Sequence, residues 1–210
     1  MFGVENYMGF IIAAIILTLT PGADTMYILT RSAAQGKDAG LVSVAGVISG
    51  CVVHVLCAAF GLSIILSTSA LVFSMIKWAG ALYLIYLGIK MFMEKNQVLQ
   101  SLSNNPEPKR LIKIYKQGVV TNILNPKVGL FFISFLPQFI NQDNARGPLP
   151  FLILGATFLV IGTIYSIFLA FAASYMTNTL RNSKTAENIL YKLSGTVFIG
   201  FGLKIAFNHD

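Results

Sequence analysis

Two ionisable side chains stand beside proline residues inside otherwise apolar stretches of the sequence. Asp24 follows Thr20-Pro21-Gly22, and Lys127 directly follows Asn125-Pro126. Proline suits the first position of a helix and Thr or Asn suits the cap before it, so each motif predicts a half-helix that begins inside an apolar stretch. A charged side chain at the centre of a bilayer costs about 2.5–3.5 kcal/mol and normally faces a cavity or a partner.

Half-helix N-termini of this kind present free amides that bind an anionic group such as a carboxylate. Three interpretations of Asp24 remain open: it caps the half-helix, it pairs with Lys127, or it binds a substrate ammonium or a coupling proton. Each proline also fits a plain kink that binds no ligand. A zwitterionic amino acid suits the functional interpretation, with its carboxylate at Lys127 and the amides and its ammonium at Asp24.

A histidine and two cysteines share a second apolar stretch. Cys51, His54 and Cys57 are spaced three residues apart. On one helix the two thiols are separated by roughly 9 Å of rise, which suits neither a disulfide nor a single metal ion. We interpret His54 as a packed, hydrogen-bonded side chain in preference to a proton relay. Gly46 and Gly50 predict close packing against a neighbouring helix or against a partner in a homodimer.

The composition places these residues in a membrane protein. Of 210 residues, 55% are apolar and 11% are charged, whereas soluble domains carry about 25% charged residues. The mean hydropathy is +0.72, and the net charge of +7 comes from short connecting stretches. These figures disfavour disulfide scaffolds, disordered tails and nucleic-acid-binding modules.

Six apolar stretches are long enough to cross a bilayer as helices. We predict an all-α integral membrane domain over residues 1–210, with spans near 7–29, 41–66, 70–93, 118–140, 151–176 and 189–207. Counting Lys and Arg on alternate sides gives eleven on one side and three on the other. If all six stretches cross, the positive-inside rule places both termini outside and the 94–117 linker in the cytoplasm.

The two halves of the chain, about 1–93 and 118–210, resemble each other. Lys77-Trp78-Ala79-Gly80 matches Lys192-Leu193-Ser194-Gly195, and Gly88-Ile89-Lys90 matches Gly202-Leu203-Lys204. Each half has three spans, so the second enters the membrane from the opposite face. This predicts an inverted 3+3 repeat with Pro-broken first and fourth helices that meet near the midplane. The alternative is the general recurrence of glycine and aromatic residues in membrane helices.

The segment around the second proline resembles a known family. The string Gly118-Val119-Val120-Thr121-Asn122-Ile123-Leu124-Asn125-Pro126-Lys127, followed by Phe135-Leu136-Pro137-Gln138-Phe139, is similar to the fourth segment of LysE/RhtB amino-acid exporters. Thr20-Pro21-Gly22 with Asp24 resembles the N-terminal motif of that family, although Ala23 replaces its usual second proline. The likeness extends over nearly the whole chain.

This resemblance implies an exporter of amino acids or their derivatives in the bacterial inner membrane, driven by an ion gradient and without a cofactor. The candidate substrate- and ion-binding residues are Thr20, Pro21, Gly22, Asp24, Asn122, Asn125, Pro126 and Lys127, with His54 as a candidate proton relay. We expect alternating access around a midplane site, with protons as the coupling ion. A passive channel, or a membrane-embedded thiol, redox or hydrolytic enzyme, is the alternative. The particular amino acid stays open.

Overall fold

A computed structural model of the chain describes residues 3–62, 110–141 and 147–175, together with isolated positions between 64 and 89, Thr196 and Ile199. The described part is helical, apart from an isolated bridge between Val4 and Ile140. The predicted third and sixth spans and the paired strings of the repeat fall mostly outside these residues. The described residues form six α-helices, namely α1 (Tyr7–Leu19), α2 (Ala23–Gln35), α3 (Lys37–Cys57), α4 (Leu111–Ile123), α5 (Pro126–Ser134) and α6 (Leu149–Tyr175).

The first apolar stretch is a bent pair of helices. The axes of α1 and α2 meet at 50°, and the pair is apolar enough to cross a membrane as one span. The second helix continues to Gln35, beyond the predicted end near residue 29. Gly36, with φ of 85°, then turns the chain into α3, a backbone conformation that a residue without Cβ adopts at little cost.

The second stretch is one long helix. It begins at Lys37, earlier than the predicted residue 41, and its last turn, Ala58–Leu62, is π-helical. Together these segments span 26 residues, enough to cross a membrane. Helix α6 is the second such single span, with 27 residues close to the predicted range of 151–176.

The fourth stretch is again a bent pair. Helices α4 and α5 meet at 46°, and a 3-10 turn at Leu136–Phe139 follows α5. The pair begins at Leu111, seven residues before the predicted start at 118. The prediction assigned residues 111–117 to the basic linker, but long basic side chains reach out of a helix whose other face, with Ile114 and Gly118, is buried.

Helices α3 and α4 pack closely because glycines line their contact. A Cβ on Gly50 would lie 2.7 Å from the carbonyl oxygen of Val119, and one on Gly118 would lie 3.0 Å from that of Ser43. Gly46 likewise rests against the backbone of Tyr115. Packing of the Gly46–Gly50 pair against a neighbouring helix is therefore confirmed.

Buried apolar residues of the helices form two separate clusters. The larger contains the stacked and tilted rings of Phe10, Phe131, Phe132, Phe135, Phe139 and Phe158, and the smaller contains Ile28, Val44, Val47 and Ala170. Ring centroids in the larger cluster are 4.9 to 6.3 Å apart. Such aromatic contacts fix the relative positions of α1, α5 and α6. The polar residues described next lie between the two clusters.

Candidate functional site

The first break in the helices comprises residues 20–22, between α1 and α2. The backbone N–H and the hydroxyl of Thr20 both donate to the carbonyl of Ile16, at 3.0 and 2.8 Å. Thr20 therefore closes α1, and its predicted role as the cap of the following half-helix is wrong. Gly22 is the N-cap of α2 instead, and no side chain caps this helix. The first-turn amides of α2, at the positive end of the helix dipole, therefore have no capping side chain.

The second break comprises residues 124–125, between α4 and α5. Pro126 is the first residue of α5, and the Asn125 Oδ1 accepts from the backbone N–H of Lys127 at 3.0 Å. This is the predicted arrangement, an Asn cap followed by Pro at the first helical position. The Nδ2 of the same Asn125 side chain donates to Asp24 of α2.

Lys127 joins the two breaks. Its ammonium donates to the carbonyl oxygens of Leu17 at 3.2 Å and Thr20 at 2.8 Å, both at the C-terminal end of α1. A cation there satisfies carbonyls that the helix leaves unpaired and neutralises the negative end of its dipole. Gly22 leaves space for it, since a Cβ at this position would lie 3.0 Å from Nζ. One of the three ammonium hydrogens remains for another acceptor.

Asp24 receives hydrogen bonds from Asn122 of α4 and from Asn125 of the second break. Its Oδ2 accepts from the Nδ2 atoms of Asn122 and Asn125, each at 2.9 Å. Both asparagines are almost fully buried, with 2% and 3% of their surface exposed. The carboxylate also lies in the first turn of α2, where negative charge is favourable. The Asp24 carboxylate and the Lys127 ammonium thus connect the two bent helix pairs, each through its own hydrogen-bond partners.

Three buried oxygens in this region have no hydrogen-bond partner among the described residues. They are the Asp24 Oδ1, the Asn122 Oδ1 and the Thr18 Oγ1. Buried polar atoms in native proteins are nearly always paired, so each unpaired atom needs an explanation. Two of the three can only accept hydrogen bonds, and the third is a hydroxyl that can also accept. A group that donates several hydrogen bonds is the natural complement of this set.

All three of these residues line one cavity at the junction of the six helices. The cavity measures about 60 Å³ and also borders Lys127. The rest of its wall is mainly apolar and includes Leu17, Ile28, Val47, Ile48, Cys51, Val128, Phe158, Leu159, Gly162 and Leu169. Tyr165 and Ser166 of α6 add hydroxyl groups to the wall. A polar end and an apolar remainder match a small amphiphilic solute.

His54 adjoins this cluster from the side of α3. Its Nε2 lies 3.0 Å from the carbonyl oxygen of Asn122. A carbonyl only accepts, so Nε2 carries the hydrogen in this contact. The ring stacks on Phe132, with centroids 6.1 Å apart and planes 9° from parallel. These contacts agree with a packed, hydrogen-bonded histidine, and a proton-relay role remains a prediction.

The two cysteines occupy different surroundings. Cys51 is 3% exposed and lines the cavity, whereas Cys57 is exposed, and both are free thiols. Within the described part of the chain, no three His, Cys, Asp or Glu side chains are placed to hold one metal ion.

Sequence reasoning identified the residues of both breaks but missed other parts of the cavity. Thr18 lies two residues before the first break and could have been noticed as a hydroxyl inside an apolar run. Gly162, Tyr165 and Ser166 lie in a long apolar helix with no charged residue to single them out. Only packing of α6 against the broken helices brings them to the cavity.

Apolar helices, including two bent pairs with a charged residue beside each break, surround a central cavity with polar and apolar walls. This architecture defines a membrane transport protein. A family model described as LysE type translocator matches residues 15–209. The chain therefore belongs to the LysE type translocator family, and it is a transporter of the bacterial cytoplasmic membrane rather than an enzyme.

Relatives match over nearly their full length. The uncharacterized membrane protein YrhP of Bacillus subtilis (strain 168) is 33% identical over 96% of this chain and 98% of its own. Leucine efflux proteins from Enterobacter sp. (strain 638) and Klebsiella pneumoniae subsp. pneumoniae are 32% and 33% identical, over 99% and 98% of this chain and 98% and 96% of their own. No solved structure matches the chain.

Proposed function

We propose that this protein exports a neutral amino acid, with leucine as the first candidate, by proton-coupled alternating access around the central cavity. Family membership and the leucine efflux proteins among its relatives support amino-acid export. The observation that carries the proposal is the set of unpaired oxygens on Thr18, Asp24 and Asn122 at one cavity.

The α-ammonium of the substrate binds these oxygens. An ammonium has three hydrogens to donate and a positive charge that complements the carboxylate of Asp24. The other carboxylate oxygen already accepts two amide hydrogens at 2.9 Å, which orients the free one. The site is thus preorganised before the substrate arrives, which lowers the entropic cost of binding.

The α-carboxylate binds at the positive end of α2. Gly22 caps this helix without a side-chain hydrogen bond, so its first-turn amides are open to an anion. Lys127 contributes its remaining hydrogen, while its other two stay on the carbonyls of α1. Together, Asp24 and Lys127 balance a zwitterion with no net charge left in the membrane interior.

The apolar wall accepts the substrate side chain. Val47, Ile48 and Leu159 offer aliphatic surface without a further charged group, which favours an aliphatic amino acid over a basic or acidic one. A cavity of about 60 Å³ holds about four water molecules, fewer atoms than leucine contains. Transport therefore requires a wider conformation, and the bent breaks at 50° and 46° are the places where helices can move.

Asp24 also carries the coupling proton. Protonation removes the charge that holds the substrate ammonium, so proton binding and substrate binding exclude each other, as an antiporter requires. His54 hydrogen-bonds the backbone carbonyl of Asn122, whose side-chain amide donates to Asp24, so the imidazole is held near the carboxylate and is the candidate relay. In this proposal the first and fourth spans belong to an inverted 3+3 repeat within one domain, and both termini face outward.

Leucine counterflow in proteoliposomes tests the proposal. With unlabelled leucine inside, labelled leucine enters transiently above its equilibrium level if the protein is a carrier. We expect Asp24→Asn to raise the leucine concentration for half-maximal counterflow by roughly 10- to 100-fold, because it loses a hydrogen bond between charged groups worth about 1.5–3 kcal/mol. The control is Asp38→Asn, the same change at an exposed residue of α3.

Two results would overturn the proposal. Equal counterflow by the Asp24 and Asp38 variants would remove Asp24 from the site. Leucine flux that does not saturate, with no counterflow, would indicate a passive channel. An acidic bath outside should accelerate leucine efflux through the parent protein, and Asp24→Asn should abolish that acceleration if the proton binds there.

A further inference from the structure

A second, basic groove lies on the outer face of α2 and α4. It has a volume of about 400 Å³ and is lined by Tyr27, Arg31, Lys116, Gln117, Val120 and Thr121. Two of these residues are cations and none is an anion. The hydroxyl of Thr121 and the amide of Gln117 add polar groups. Such a lining complements a phosphate or another anionic group.

The arginine of this groove is held in place. Its Nη2 donates to the Gln117 Oε1 at 2.8 Å, and its guanidinium carbon lies 5.6 Å from the centre of the Tyr27 ring. The Tyr27 hydroxyl in turn donates to the carbonyl of Ile114 at 2.6 Å. These contacts join α2 to α4 and leave further guanidinium N–H groups for a ligand.

The face of α4 that carries Lys116 continues as apolar surface. Val120 is 53% exposed and Leu124 is 73% exposed, one and two turns further along the helix toward the second break. Exposed aliphatic residues on a membrane-spanning helix contact lipid chains. A basic groove that borders such a surface matches a phospholipid, with an anionic headgroup in the groove and acyl chains along the apolar face.

We infer that this groove binds the headgroup of an anionic phospholipid. Arg31 and Lys116 bind the phosphate, Thr121 donates a hydroxyl, and an acyl chain lies over Val120 and Leu124. The lipid contacts both α2, which carries Asp24, and α4, which carries Asn122. It therefore stabilises the packing of two helices that line the central cavity. A free carboxylate or phosphate would use the groove but gain nothing from the adjoining apolar surface.

Native mass spectrometry of the purified protein in a neutral detergent tests this inference. The probes are dioleoyl phosphatidylglycerol, dioleoyl phosphatidylcholine and inorganic phosphate. We expect the parent to retain phosphatidylglycerol in preference to the other two. Neutralising both cations, with Arg31→Gln and Lys116→Gln, should weaken phosphatidylglycerol binding roughly 25-fold, since each basic residue contributes about fivefold.

A matched control removes the same charge elsewhere. Lys37→Gln with Arg110→Gln neutralises two exposed residues that do not line the groove, and it should leave the affinity unchanged. Lys116→Gln alone changes an exposed side chain that takes no part in the Arg31–Gln117 contact, so its expected fivefold loss cannot come from misfolding.

Three outcomes would overturn the inference. An equal loss in the control pair would show general attraction to charge rather than a site. Displacement of phosphatidylglycerol by inorganic phosphate at similar concentration would indicate a free-anion site. Displacement by leucine would assign the groove to the transported substrate.

Discussion

The side chain of Asn125 forms two hydrogen bonds, one within its own helix pair and one to the other pair. Its Oδ1 caps α5, and its Nδ2 donates to Asp24 in the first turn of α2. Loss of an N-cap costs about 0.5–2 kcal/mol. Hydrogen bonds within a membrane protein average about 0.6 kcal/mol and reach about 1.7 kcal/mol. Asn125 is 3% exposed, so no solvent replaces either partner, and Asn125→Ala should lower the free energy of unfolding by about 1–4 kcal/mol.

Two matched variants separate the two contributions. Asn122→Ala removes a donor to the same Asp24 oxygen but no cap, so it should cost only the hydrogen-bond part, about 0.6–1.7 kcal/mol, plus the cavity that it leaves. Asn125→Asp keeps an oxygen that caps the helix but places a second carboxylate beside Asp24, so it should destabilise the protein through like-charge repulsion. The cap alone would predict that Asn125→Asp is neutral.

Unfolding in mixed micelles with increasing sodium dodecyl sulfate, followed by far-ultraviolet circular dichroism, measures these differences. The reasoning is refuted if Asn125→Ala lies within about 0.5 kcal/mol of the parent, the range of an ordinary surface substitution. It is also refuted if Asn125→Asp is as stable as the parent, because the contact with Asp24 would then contribute nothing.

Two further predictions concern glycines. Gly46→Ala places a methyl group against the backbone of Tyr115 and should destabilise the protein by about 1–3 kcal/mol in the same unfolding assay, whereas Gly61→Ala, which meets nothing within 4 Å, should not. Gly162 lines the cavity, and a Cβ at this position would meet nothing within 4 Å, so the larger side chain of Gly162→Leu should occupy cavity space. We expect this variant to weaken leucine counterflow roughly tenfold or more while sparing alanine. Equal effects on both solutes would contradict the assigned cavity.

Local rules account for the parts of the fold that the sequence predicts well. Apolar runs without charge predict α3 and α6 to within a few residues, and Asn125-Pro126 predicts the start of α5 because capping depends on adjacent residues alone. Thr20-Pro21 has the same local pattern, yet its hydroxyl donates back to Ile16 and α2 begins two residues after Pro21. The Thr20 hydroxyl donates to a carbonyl of the preceding helical turn, whereas the Asn125 side-chain oxygen accepts from an amide of the following one. The two motifs are therefore not equivalent.

The partners within the candidate site depend on tertiary packing. The sequence places Asp24 and Lys127 beside the breaks and leaves direct pairing of the two as one of three interpretations of Asp24. In the structure Lys127 donates to carbonyls at the C-terminal end of α1. Asp24 accepts instead from Asn122 of α4 and Asn125 of the second break. More than 90 residues separate these partners along the chain, and no local pattern encodes such a choice. The contribution of α6 to the cavity is unpredictable for the same reason.

Protection of Cys51 by leucine against alkylation tests whether the central cavity binds the zwitterion. Cys51 lines the cavity, and Cys57→Ser removes the exposed thiol to leave Cys51 as the single reporter. The rate of alkylation by N-ethylmaleimide is measured with leucine, with 4-methylpentanoate, which lacks the ammonium, and with isopentylamine, which lacks the carboxylate. We expect leucine to slow alkylation, neither analogue to do so at equal concentration, and Asp24→Asn to abolish the protection. Alkylation that leucine does not slow, or slows equally in Asp24→Asn, would contradict zwitterion binding in the central cavity.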